Sequence, residues 1–354
     1  MFELKNILRT NIAALTPYSS AREDFKGEAE VYLDANENSL GSAITNHKLN
    51  RYPDPLQLKV KEKIGKIKGS KPANIFLGNG SDEAIDILIR AFCNPGKDNI
   101  IILPPTYGMY EVAANINDVK VKAVNLNKDA QLDLPKIKAS IDDSTKLIFV
   151  CTPNNPTGGI INKTDIENLL NSFNGVVVVD EAYIDFADAP GMVQDLSKYP
   201  NLVILQTFSK AWGLAGLRVG MAFASAEIIS VMNKIKAPYN VGELVQNLII
   251  QALDNNEPVK EMVETLKKER AILIQKLSEL SSVSGILPSQ ANFLLVKTTC
   301  PDELYNYLIT NNVVVRNRSK LPLCEGGLRI TIGTPEENKK LLSLLIAFEK
   351  TLSK

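Results

Sequence analysis

One lysine in this chain stands where an amine nucleophile is useful. In Gln206-Thr207-Phe208-Ser209-Lys210-Ala211-Trp212-Gly213-Leu214-Ala215-Gly216-Leu217-Arg218 it is flanked by hydroxyls and small residues, with an arginine further on. A lysine amine condenses with an aldehyde to form a Schiff base, while Thr207, Ser209 and Arg218 can hold a phosphate through hydroxyl donors and a charged fork. Those are the needs of pyridoxal phosphate (PLP), an aldehyde with a phosphate tail. Taken alone, the segment also fits a solvated lysine in a glycine-containing loop. Trp212 reads as packing.

Three further segments bear on that choice. Val176-Val177-Val178-Val179 reads as a strand buried on both faces, and it delivers Asp180 to its carboxyl end. Open parallel sheets bind ligands at that edge. A carboxylate there can pair with a protonated pyridine nitrogen, and Tyr183 is near enough in sequence to reach the ring's phenolate oxygen. A lone strand-ending Asp can equally cap the next turn. Leu147-Ile148-Phe149-Val150-Cys151 is a second apolar strand, running into Thr152-Pro153-Asn154-Asn155-Pro156-Thr157-Gly158, where proline stiffens the turn that presents Asn155. Ile75-Phe76-Leu77-Gly78-Asn79-Gly80-Ser81 reads as a strand and a glycine turn, with Ser81 as the N-cap of a helix. Free N–H groups at a helix start suit a phosphate, although Asp82 and Glu83 suit it only if their carboxylates turn away.

The four segments follow one another in chain order, each beside a strand, as one site at one sheet edge requires. Further stretches include Leu15-Thr16-Pro17-Tyr18, Asn50-Arg51-Tyr52-Pro53, Pro104-Pro105-Thr106-Tyr107-Gly108-Met109-Tyr110 and Leu328-Arg329-Ile330-Thr331-Ile332-Gly333-Thr334. With them the chain resembles the fold-type-I PLP-dependent aminotransferases, and more narrowly their histidinol-phosphate branch. The resemblance implies that Lys210 carries the cofactor, Asp180 pairs with its pyridine nitrogen, Asn155 and Tyr183 hold its phenolate oxygen, and Tyr107 stacks on the ring. It implies that Thr207, Ser209 and Arg218 bind the phosphate together with groups at Ser81 and Asp82. Tyr52 would reach that phosphate in a neighbouring subunit, so the implied unit is a homodimer with sites at the subunit boundary.

Val313-Val314-Val315-Arg316 and Gly327-Leu328-Arg329-Ile330 each bring an arginine to or near a strand end, and two such forks suit an anionic substrate. The resemblance assigns Arg329 to the carboxylate of glutamate or 2-oxoglutarate, and Arg329, Arg316, Tyr18 and Asn155 to substrate binding, the arginines and Tyr18 meeting the phosphate of histidinol phosphate. Arg318, in a polar turn, reads as solvent-facing. The implied reaction is a two-stage amino transfer giving imidazole-acetol phosphate and L-glutamate in histidine biosynthesis. Open alternatives are an aromatic amino acid aminotransferase or a decarboxylase of a phosphorylated amino acid. A regulatory module of the kind joined to DNA-binding domains is a non-enzymatic alternative, but the N-terminal arm is too short for such a domain.

Composition fits this reading. Forty basic and forty acidic residues balance, leaving no global field for nucleic acid or an anionic membrane. Four scattered cysteines read as cytosolic thiols, and a single histidine, His47, leaves almost no material for a histidine metal site, so no metal is expected. The absence of a long apolar run points to a soluble cytoplasmic protein. Residues 1–30 form a polar arm, which in the family packs on the small domain and the partner. Over 31–245 strands near Ile75, Ile100, Lys120, Leu147, Val176, Val203 and Val219 alternate with helices, predicting an α/β domain with a mostly parallel sheet. Residues 246–354 predict a linking helix from Glu257 to Leu280 and a smaller α+β domain with strands at 292–296, 313–316 and 328–332.

Overall fold

The computed structural model describes residues 2–18, 29–44 and 49–352; His47 lies outside them. Strands apolar on both faces can only be interior, with helices covering each side. Such strands make up the main sheet apart from the exposed edge strand β3: β1 (Ile75–Asn79), β2 (Asn99–Ile102), β3 (Lys120–Ala123), β4 (Thr145–Cys151), β5 (Val176–Asp180), β6 (Leu202–Thr207) and β7 (Val219–Phe223). Their order is β1-β7-β6-β5-β4-β2-β3. All neighbours are parallel except β7, which runs antiparallel to β1 and β6.

Alternation along the strands separates two cores. Val177, Val179, Ile148 and Val150 face one cluster with Ile166, Leu169 and Leu170 of the helix Lys163–Ser172. Val176, Val178, Leu147 and Phe149 face the other, against the helices Gly80–Phe92, Met109–Ile116 and Ala226–Ile235. The N-terminal arm lies on this second cluster through Phe2, Leu4, Ile7, Leu8 and Ile12, with Arg9 donating to the Arg90 carbonyl and Lys234 to the carbonyls of Ile12 and Ala13. Its described part therefore packs on the main sheet's helices; the small domain was the family expectation.

A second sheet, antiparallel throughout, holds β8 (Val283–Ile286), β9 (Phe293–Thr298), β10 (Arg316–Asn317) and β11 (Gly327–Thr331) in the order β10-β11-β9-β8. One face of it, with Leu294, Val296, Leu328 and Ile330, packs on the helices Glu257–Ser278, Pro301–Thr310 and Pro335–Leu352. Phe293 and Arg329 are on the other face, and Phe293 joins the main-sheet core. The long helix Glu257–Ser278 spans both bodies, since Val263 packs with the main-sheet cluster while Leu273 and Leu277 belong to the small one. β8 was not foreseen, because its four residues, Val-Ser-Gly-Ile, are too short and too interrupted to show an apolar alternation.

The helix start at Gly80 presses against β7. A Cβ on Gly220 would lie 2.1 Å from the Ser81 backbone nitrogen, so only glycine allows this approach. Gly220→Ala is expected to destabilise the protein by roughly 1–3 kcal/mol through overpacking, read as a lower midpoint in denaturant unfolding. An unchanged midpoint would mean that the helix start is not held this closely.

Candidate active site

The parallel strands end on one side of the sheet, and their carboxyl ends enclose a cavity. β5 contributes Asp180, which is 2% exposed. Its Oδ2 accepts a hydrogen bond from the Tyr110 hydroxyl at 2.6 Å, and its Oδ1 accepts one from the Ala182 backbone N–H at 3.0 Å. Burial pushes the Asp180 carboxyl above its ordinary pKa, and the Tyr110 and Ala182 donors oppose that rise. Tyr110 was not singled out from the sequence as a functional residue. Its spacing three residues after Tyr107 is the only sequence signal, and it is equally that of a core aromatic on a helix.

The turn after β6 brings Lys210 to the same cavity, which Asp180, Tyr183, Asn155 and Cys151 also line. The residue as a whole is open to solvent, yet its Nζ lies over the Tyr183 ring, 5.7 Å from the centroid. Partial desolvation and the nearby Arg329 charge lower the lysine pKa, with Asp180 pulling the other way. The free amine that a nucleophile or base requires is thereby made more accessible. Asn155 Nδ2 donates to the Tyr183 hydroxyl at 3.4 Å, and Asn155 Oδ1 accepts from Arg329 Nη1 at 2.5 Å. The Tyr183 ring meets Phe293 of β9 edge-on at 5.1 Å, and the Arg329 guanidinium lies over the same Phe293 ring at 5.4 Å. The small sheet thus places an arginine against Asn155, which lines the cavity built by the large one.

At the other end of the cavity are Ser81, Asp82, Thr207, Ser209 and Arg218. The helix begins at Gly80, with Asn79 at the cap position, so Ser81 is a first-turn residue and not the N-cap. A neighbouring acid does the capping: Glu83 turns back to accept from the Asn79 backbone N–H at 2.5 Å, and its carboxylate also accepts from Asn240. Asp82 likewise turns its charge onto protein partners, accepting from the Tyr107 hydroxyl at 3.1 Å and pairing with Arg218 Nη2 at 3.6 Å. What Ser81 and Asp82 offer an anion is therefore their first-turn N–H groups, where a helix lacks internal acceptors. Arg218 adopts a left-handed φ of 54°, and a Cβ on Gly80 would come within 2.8 Å of its guanidinium. A hydroxyl pair, an arginine and a helix start around a glycine-lined hollow match the donor set of a phosphate. A lysine, an aspartate and an Asn–Tyr pair beyond them match the rest of PLP.

Four residues expected at the site do not line the cavity: Arg329, which reaches it only through Asn155, and Tyr52, Tyr18 and Arg316. Tyr52 is 50% exposed and stacks on Tyr239, with centroids 4.4 Å apart. Tyr18 is 73% exposed. Arg316 is exposed on β10, directly opposite Arg329 in the β10–β11 register, so both side chains leave the same face of the small sheet. Arg318 is half-buried, not fully solvent-facing, and its backbone N–H donates to the Gly327 carbonyl at 2.9 Å. All four cysteines are free. Among the described residues no group of three or more His, Cys, Asp or Glu is arranged to hold a metal ion, and no helix is long and apolar enough to cross a membrane.

The family model described as aminotransferase class I and II matches residues 23–345. A histidinol-phosphate aminotransferase of Cytophaga hutchinsonii is 54% identical over 97% of this chain and 99% of its own length. One of Parabacteroides distasonis is 50% identical over 98% of this chain and 99% of its own. The crystal structure of the histidinol-phosphate aminotransferase from Clostridium acetobutylicum superposes with a TM-score of 0.79 at 27% identity, covering 86% of this chain and 92% of that one.

Beside Asp180, Glu181 points the other way, 1% exposed, accepting from the Met192 N–H at 2.7 Å and from Gln206 Nε2 at 2.9 Å. Burial raises its pKa from 4.5 to about 7. A carboxyl group raised on folding favours the folded state in its protonated form. Its contribution is full below pH 4.5 and is lost as pH rises through about 7. The melting temperature of the native protein relative to that of Glu181→Gln should therefore fall across that window. A constant difference would contradict the raised pKa.

Proposed function

The chain belongs to the class I and II aminotransferases and, within them, to the histidinol-phosphate aminotransferases, and from that premise we propose that it moves the amino group of L-histidinol phosphate to 2-oxoglutarate. The observation that carries the reading is the meeting of Lys210, Asp180 and the Asn155–Tyr183 pair in one cavity, with Arg218 and the helix start at its far end. PLP, when bound, supplies the aldehyde that accepts the amino group and a ring that draws electrons from the substrate carbon.

Each protein group then has a defined task. With PLP bound, Lys210 Nζ would hold its aldehyde and, when free, would move a proton at the amine-bearing carbon of the substrate; such positioned acid–base work is typically worth about 10²–10⁴-fold in rate. Asp180, as the carboxylate, keeps the pyridine nitrogen protonated. Asn155 and Tyr183 would donate toward the phenolate oxygen, and Tyr107 would cover the ring. Thr207, Ser209, Arg218 and the N–H groups of Ser81 and Asp82 hold the phosphate. Thr207 is itself ordered, its hydroxyl donating to the Val219 carbonyl and accepting from the Ser209 N–H.

Substrate choice rests on the arginines. Among the described residues the hydrogen-bond partner of the Arg329 side chain is the neutral Asn155 amide, so the guanidinium charge is left for an anion. Arg316 stands next to it on the same sheet face. Histidinol phosphate has no α-carboxylate and offers a phosphate, whereas 2-oxoglutarate offers carboxylates; a shared arginine fork serves both. Tyr18 would join at the phosphate. The reading takes residues 31–245 as the cofactor domain and 246–354 as the domain that brings the substrate arginines.

The reading also makes the active unit a homodimer. Tyr52 is exposed and directed to Tyr239, away from its own cavity, which suits a residue that serves the partner's phosphate site.

Two experiments follow. With nitrogen-labelled histidinol phosphate and 2-oxoglutarate, the label should appear in glutamate at the rate that imidazole-acetol phosphate forms. Label that stays in histidinol phosphate, or that reaches glutamate only from an aromatic amino acid, would reject the substrate. Mixing inactive Lys210→Ala with weakened Tyr52→Ala subunits should yield hybrids more active than either parent, since one site per hybrid is intact. No gain on mixing would put Tyr52 outside the partner's site.

A further inference from the structure

Tyr110 is fully buried in the second core cluster and stacks on Phe149 of β4, with centroids 4.7 Å apart and the rings 17° from parallel. An aromatic in such a place needs no hydroxyl for packing, and a buried hydroxyl without a partner is costly. Its hydroxyl instead reaches Asp180 Oδ2 at 2.6 Å, a contact made across the sheet edge from the helix Met109–Ile116 to the end of β5. Asp180 Oδ1 is held separately by the Ala182 N–H. The carboxylate is thus fixed in orientation by two donors, one on each oxygen, and each oxygen retains a lone pair.

We infer that Tyr110 is a positioning residue that keeps Asp180 ionised and aimed for the ring nitrogen of the cofactor. This rests on the PLP reading above and assigns a role to a residue with no contact of its own to the ligand. A charged group deep in apolar surroundings tends to take up a proton, and a donor hydrogen bond to the charged form resists that. The Tyr110 hydroxyl donor opposes the effect of burial on Asp180, as does the Ala182 N–H. The ionisable groups facing Asp180 come from every element around it: Asp82 and Tyr107 from the helix Gly80–Phe92 and the loop before Met109, Cys151 from β4, Tyr183 after β5, and Lys210 after β6. Asp82 raises the Asp180 pKa and Lys210 lowers it, so the two nearest charges act in opposite senses. Tyr110 is the side-chain hydrogen-bond donor to this carboxylate among the described residues.

The test is the pH profile of PLP affinity, measured by equilibrium titration of the visible band and independent of turnover. Asp180 pairs with the ring nitrogen only as the carboxylate, so affinity should fall as pH drops through the Asp180 pKa. In Tyr110→Phe, which keeps the ring on Phe149, the acid limb should move up by about one pH unit or more, because a hydrogen bond to a charged group is lost. At neutral pH the dissociation constant should rise roughly tenfold. Asp180→Asn should remove the limb, and Tyr110→Phe should add nothing further in that background. A Tyr110→Phe limb that coincides with the native one, or an undiminished effect of Tyr110→Phe on Asp180→Asn, would overturn the role of Tyr110 while leaving the PLP reading in place. A native protein that takes up no PLP would overturn both.

Discussion

Asp180 is a carboxylate carried to the end of a strand that is buried on both faces, and such a group is expensive unless its oxygens are met by donors. The site is arranged around that requirement. β5 has to be interior so that its end opens into the sheet edge, and the same burial denies Asp180 water. The Tyr110 hydroxyl and the Ala182 N–H replace two of the lost solvent hydrogen bonds. The neighbouring Glu181 meets the same problem on the opposite side with Met192 and Gln206. Two adjacent buried acids with separate donor sets tie the end of β5 to the helix Met109–Ile116, to the loop at Met192 and to β6. The ring of Tyr183, three residues on from Asp180, meets Phe293 of the small sheet edge-on.

The anion end depends on close backbone approach more than on charge alone. Gly220 lets the helix start lie against β7, and Gly80 lets the Arg218 fork lie over that start. Acidic side chains of the first helical turn would repel a phosphate if they pointed outward. Glu83 is folded back as a cap and Asp82 is taken up by Tyr107 and Arg218, so the N–H groups are what remain facing the hollow. Arg329 enters from the second sheet, and its hydrogen bond to Asn155 ties that sheet to the turn after β4.

Much of this was legible in the sequence because the relevant residues are placed by local pattern. A valine run names an interior strand, and the first polar residue after it, Asp180, is at the sheet edge; Asn155 was found from its proline-stiffened turn and Lys210 from the hydroxyls and small residues around it. The glycine turn marked a helix start, although the cap was misread: Ser81 is the conventional capping type, but Asn79 holds the cap position and Glu83, two residues after Ser81, accepts from the Asn79 N–H. Tyr110 was missed because its partner is 70 residues away and its ring is simultaneously ordinary core. β8 was missed because a four-residue edge strand broken by Ser284 and Gly285 has no periodic signal. Tyr52 and Tyr18 were named through the family resemblance alone, and both side chains are exposed on this chain.

The central claim is that this cavity takes an amine from histidinol phosphate through Lys210. Its most direct measurement is the visible absorption spectrum of the PLP-reconstituted protein before and after histidinol phosphate is added without any keto acid. The account predicts a lysine-bound cofactor band that disappears stoichiometrically as the aminated cofactor forms, and that returns on addition of 2-oxoglutarate. A band that ignores histidinol phosphate, or a Lys210→Ala protein that shows the same lysine-bound band and turnover as the native one, would contradict it.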